Sequence, residues 1–132
     1  MGTETLAATA RMIVAAGKGV LAADESNGTM SQRLESIGVV PTPDTRRDWR
    51  QLIFTADGLN EYTSGVIMFD ETIRQSSDDG RSLVDILSNA GIVPGIKVDR
   101  GTHPLAGAKG EAVTEGLDGL RGRLAEYFDM GA

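Results

Sequence analysis

Three short apolar runs in this 132-residue chain end in acids. Residues 20–23 (VLAA) run into Asp24, Glu25 and Ser26. Residues 65–69 (GVIMF) run into Asp70, Glu71 and Thr72. The run that begins at Ile92 ends in Lys97, Val98 and Asp99. A carboxylate so placed can fix the charge of a neighbouring cation. In parallel α/β folds ligands bind at the carboxyl ends of the strands, so three like endings read as contributions to one polar site. Any single ending is explained equally well by capping, because turns into helices favour Asp, Ser and Thr.

The third run is the most specific. Lys97 and Asp99 lie two residues apart and share one face of an extended strand. A lysine inside an apolar strand is costly unless it is paired or functional. Lys97 can hold a phosphate or polarise a hydroxyl while Asp99 fixes its charge, or the two can form a purely structural ion pair. A Schiff-base role for Lys97 is disfavoured, since a carboxylate two residues away favours the ammonium form over the nucleophilic amine. Ser26, Asn27, Gly28 and Thr29 follow a strand and open a helix, the setting in which hydroxyls and amides cradle a phosphate. Arg33 lies one turn further on and can reach the same anion. Arg46 and Arg47 begin the next helical tract and read as an exposed face. Gly17-Lys18-Gly19 precedes its strand, so it reads as a helix stop and turn rather than a phosphate loop. His103 sits in a Gly/Pro-containing loop and reads as solvated.

The elements that must position these residues follow from periodicity. Leu6, Ala7, Ala10, Ile13 and Val14 recur at helical spacing behind a possible cap at Thr3, and Gly17 stops that helix. Met30, Leu34 and Ile37 define a second helix, ended by Gly38. Trp49, Leu52, Ile53 and Ala56 define a third, with Thr42 or Asp44 as its cap. Leu83, Val84, Ile86 and Leu87 form another helical face. The strand at 92–99 has its better half after Gly95, a glycine-rich loop spans about 100–116, and a last helix covers roughly 117–128. A helix followed by three strand–helix repeats predicts a parallel sheet with its strands covered on both faces. Two architectures satisfy this: a small doubly wound sheet, or part of a (βα)8 barrel.

Composition bounds the function. The chain is 40% apolar and 24% charged with a net charge of −6, which disfavours nucleic acid as the main partner. It has no cysteine and one histidine, which excludes thiolate chemistry and a multi-histidine metal site. No window reaches the length of a membrane span, and no signal-peptide pattern is present. Met1-Gly2 is followed by Leu6, which fails the myristoylation pattern. The expected compartment is the cytoplasm.

Four stretches carry a family resemblance: "GKGVLAADESNGTMSQRLESIG", "NEYTSGVIMFDET", "DDGRSLVDILSNAGIVPGIKVDRG" and "PLAGAKGEAVTEGLDGLRGRLAEY". In order and spacing they resemble the N-terminal part of class I fructose-bisphosphate aldolase. The resemblance implies a (βα)8 barrel and reversible, metal-free cleavage of fructose 1,6-bisphosphate through a lysine Schiff base, with no cofactor. It implies a sugar-phosphate substrate and, in the full-length family, a homo-oligomer. Asp24 matches the active-site aspartate of the first strand and Lys97 the active-site lysine of the third. Ser26 matches a 6-phosphate contact, Thr29 stands where many members have another hydroxyl, Arg33 matches a substrate-binding arginine, and Arg46 a more peripheral one. Gln32 stands where many members have a lysine, which implies a weaker phosphate grip. On this resemblance residues 1–132 form a partial barrel domain that stops before the fourth strand. The Schiff-base lysine and the 1-phosphate site would lie on later strands. The isolated chain is therefore expected to be inactive and marginal or prone to aggregate.

Overall fold

The structure, a computed structural model, describes residues 3–132, with side chains from residue 5 onward. The Met1-Gly2 pattern and a side-chain cap at Thr3 lie outside the described residues. The elements are α1 (Thr3–Ile13), β1 (Gly19–Ala23), α2 (Asn27–Ser36), α3 (Pro43–Phe54), α4 (Leu59–Tyr62), β2 (Thr63–Met68), α5 (Asp70–Ile73), α6 (Leu83–Asn89), β3 (Val93–Ile96), β4 (Thr102–Pro104), β5 (Ala112–Thr114) and α7 (Leu120–Asp129).

β1, β2 and β3 form one parallel sheet with β2 in the middle. The register places Ala23 opposite Met68 and Met68 opposite Ile96. All three strands therefore end level, and Asp24, Phe69 and Lys97 emerge side by side at one end of the sheet. The Lys97 amide still donates to the Met68 carbonyl at 2.9 Å, so its backbone is fixed as firmly as a strand residue. β3 is shorter than the expected 92–99 and includes Pro94, which an edge strand tolerates because one side of its ladder is open.

The core lies between β2 and α6. Val66 and Met68 meet Leu83, Val84, Ile86 and Leu87, joined by Ala23, Phe54, Ile73, Ile92 and Tyr127. Burial of each large aliphatic side chain contributes about 1.5–3 kcal/mol. β2 is buried nearly throughout, whereas Val20 on β1 is 47% exposed. Coverage on both faces thus holds for β2 and fails for most of β1.

Several local expectations change. α3 is capped by Thr42, whose hydroxyl accepts from the Thr45 amide while Thr45 returns a bond to the Thr42 amide. Its buried residues are Arg50 and Phe54, and Leu52 is exposed. Ile37 falls at the C-cap of α2 and is exposed, and Leu6 and Met12 of α1 and Val14 just after it are uncovered. The 100–116 segment is not an irregular loop. It contains an antiparallel hairpin, β4 against β5, with His103 opposite Val113. All six hairpin residues are exposed, so no buried alternation marked them in the sequence.

Candidate active site

A cleft of about 1060 Å³ opens at the carboxyl end of the sheet. β1 delivers Asp24, the start of α2 delivers Ser26 and Thr29, and the residue after β3 is Lys97. The Lys97 ammonium lies 2.6 Å from Asp99 Oδ1 and 3.5 Å from Asp24 Oδ2. Asp99 raises the lysine above its ordinary 10.5, chiefly by direct hydrogen bonding, and Asp24 adds a smaller attraction. Lys97 and the Gly101 amide hold Asp99 below the usual carboxylate range. The site therefore presents a fixed ammonium between two carboxylates, suited to binding hydroxyl and phosphate oxygens rather than to nucleophilic attack.

Ser26 is the N-cap of α2, and its Oγ accepts from the Thr29 amide at 3.3 Å. The first turn of α2 carries no acid of its own. Arg33 lines the cleft and pairs with Glu25. Arg46 does not line it. Glu71 takes its guanidinium in a two-point contact of 2.7 and 2.8 Å, and Asn27 bonds the same carboxylate. Of the sequence-derived candidates, the structure brings Asp24, Lys97, Ser26, Thr29 and Arg33 to one cleft and sets Arg46 behind it. His103 is exposed, with its ring nitrogen 3.5 Å from Glu115, and Lys18 donates to the Asn60 carbonyl at 2.6 Å, away from the cleft.

A family model described as glycolytic fructose-bisphosphate aldolase class-I matches residues 5–132. The chain belongs to the class I fructose-bisphosphate aldolase family. It is 52% identical over 132 residues to a probable fructose-bisphosphate aldolase class 1 of Xylella fastidiosa, covering all of this chain and 40% of that protein. Against a cytoplasmic isozyme of fructose-bisphosphate aldolase from Cicer arietinum it is 52% identical over 129 residues, covering 98% of this chain and 36% of the relative. An aldolase from Plasmodium falciparum, solved as a ternary complex with TRAP and a small-molecule inhibitor, superposes with a TM-score of 0.94 at 44% identity, over 98% of this chain and 37% of that one. The chain thus spans about two fifths of the length of the aldolases it matches, and its parallel sheet and helices are part of a barrel of that family.

Two sets of contacts at the cleft had no signal in the sequence, although Asp70 itself stood out there as a strand-end acid. Asp70 accepts from Arg74 at 2.8 Å and from the Tyr127 hydroxyl at 2.9 Å, and Arg74 also reaches Glu126 at 2.5 Å. These bonds, led by Arg74, hold Asp70 below its ordinary 3.8. They join α5 to α7 across 57 residues of chain, a separation no local pattern reveals. Arg123 of α7 donates to the carbonyls of Val98 and Gly116 and ties the hairpin's base to the cleft.

Proposed function

We propose that residues 1–132 supply one wall of an aldolase site for fructose 1,6-bisphosphate, whose cleavage to dihydroxyacetone phosphate and glyceraldehyde 3-phosphate is a step of glycolysis. The observation that carries this reading is the Lys97 ammonium held between Asp24 and Asp99 at the head of a parallel sheet. Asp24 orients sugar hydroxyls and takes part in proton transfer. Lys97 contacts hydroxyls and the 6-phosphate. Ser26, Thr29 and Arg33 receive that phosphate at the start of α2, where amide groups and the helix dipole favour an anion. Arg46 is left out of this reading, since it does not line the cleft.

The nucleophile of a Schiff-base mechanism must be an uncharged amine. Three lysines are present. Lys97 is held charged, Lys18 is bound to the Asn60 carbonyl, and Lys109 is exposed on the hairpin loop. These residues alone are therefore proposed to bind the sugar phosphate without cleaving it. The same observations favour a second reading, a sugar-phosphate-binding module with no catalytic role. A cytoplasmic location and a homo-oligomeric full-length enzyme remain proposals, supported by the named isozyme and the family resemblance.

Two measurements test this. In a coupled cleavage assay and a borohydride trap with dihydroxyacetone phosphate, the 132-residue chain is expected to give neither turnover nor covalent label. Label on Lys97 would overturn its assignment as a charged binding group. Calorimetric titration with fructose 1,6-bisphosphate is expected to show saturable binding that Lys97→Ala weakens about 10- to 100-fold, the scale of a charge-assisted hydrogen bond. Binding unchanged in that variant would sink the site.

A further inference from the structure

Arg50 is only 3% exposed, the most buried charged residue among the described residues. Its Nη2 lies 3.1 Å from the Glu25 carbonyl oxygen and 3.0 Å from Glu25 Oε2. Its Nη1 lies 2.9 Å from the sulfur of Met30, and its Nε is buried without an acceptor. Desolvation of this magnitude opposes the charge, and burial does pull the guanidinium below its usual value against the attraction of Glu25. For stability alone, a well-packed apolar residue often serves as well as a buried ion pair. The position of Arg50 suggests what the charge does.

Arg50 holds the carbonyl of Glu25, the residue that follows Asp24. β1 is an edge strand with a single neighbour, so its end has less support than the end of β2. From α3, one nitrogen of Arg50 reaches both the main chain and the side chain of Glu25, while Arg33 of α2 takes the other oxygen of the same carboxylate. The turn that aims Asp24 is thereby tied to two helices. We propose that Arg50 is a positioning residue that fixes the Asp24–Glu25 turn so that the Asp24 carboxylate faces the Lys97 ammonium. The inference rests on reading Asp24 and Lys97 as partners in the substrate site.

Its test needs no turnover. Trace acetylation of the full chain, read by mass spectrometry, compares the labelling rate of Lys97 with that of exposed Lys109 as an internal reference. Asp24→Asn is expected to raise the Lys97 rate about threefold, as for a partly exposed ion pair. In an Arg50→Met background, which fills similar volume without the fork, the same substitution is expected to have little effect. An Asp24→Asn effect of equal size in both backgrounds, or none in the wild type, overturns the proposal. If circular dichroism shows Arg50→Met unfolded, Arg50→Lys is read in the same way. It keeps a charge for Glu25 but not the planar guanidinium that reaches the Glu25 carbonyl and the Met30 sulfur together. Unfolding of both variants would assign Arg50 to the core and also overturn the positioning role. Fructose 1,6-bisphosphate binding by the wild-type chain is measured in parallel. Its absence would remove the proposed function and still leave the labelling result to decide the role of Arg50.

Discussion

At the scale of the residue, the Lys97–Asp99 pair and the strand-end acid Asp24 were legible, but the approach of Asp24 to the ammonium was not. The spacing of two residues placed the ammonium and Asp99 on one face, but only the register of β1 on β2 and β2 on β3 brings Asp24 to within 3.5 Å. Arg50 was invisible for a different reason. Apolar periodicity put the buried face of α3 on Trp49 and Leu52, and a charged residue does not enter such a count. The pair has a defined pH signature. Lys97 is raised in the fold, so its contribution is complete below 10.5 and is lost as pH rises through the higher folded value. Asp99 is depressed, so its contribution is complete above its ordinary 3.8 and is lost as pH falls through the lower folded value. The melting-temperature difference between wild type and Asp99→Asn is expected to be flat between those limits and to shrink beyond both. Both groups are about one-third exposed or less, so the plateau is small, at most about 1 kcal/mol.

At the scale of the element, strand–helix alternation and strand order were readable because apolar runs and glycine stops are local signals. The hairpin was not, because its exposed strands carry no apolar alternation, nor was the docking of α7, which depends on long-range polar contacts. Gly116 shows how tightly the hairpin base is set. Its φ of 145° is a glycine conformation, and a Cβ there would lie 2.9 Å from the Asp99 Cα and the Val98 carbonyl oxygen. Gly116→Ala is expected to destabilise by about 1–3 kcal/mol and to displace Asp99, read as faster Lys97 acetylation as well as a lower urea midpoint. Tyr127→Phe removes the hydroxyl bond to Asp70 while keeping the buried ring. It is expected to cost about 1 kcal/mol and to speed amide hydrogen exchange in α7 more than in α6. Unchanged exchange in α7 would show that Arg74 and Glu126 alone hold that helix.

At the scale of the whole molecule, the sequence indicated a parallel sheet of barrel type, and the structure shows where that sheet is uncovered. β1 and β3 are both edges, Val20 is half exposed, and Leu6 and Met12 of α1, with Val14 just after it, face solvent. Edges of this kind template pairing with other chains. The 132-residue chain is expected to sediment as associated species at micromolar concentration, with Val20→Lys shifting it toward monomer. A wild-type chain that stays monomeric across that range would show that these edges are adequately shielded.

Three of the cations that line the cleft arrive already paired with acids: Arg33 with Glu25, Lys97 with Asp24 and Asp99, and Arg74 with Asp70 and Glu126. An incoming phosphate therefore gains little long-range attraction from them, and it approaches a molecule whose net charge is −6. Capture becomes an exchange of counter-ions at close range, preceded by mutual repulsion. Association of fructose 1,6-bisphosphate should then speed up as salt is raised from about 10 to 150 mM, because screening removes the repulsion first. Stopped-flow binding that instead slows over that range would mean that the cations at the rim, Arg100 among them, set the field that the ligand meets.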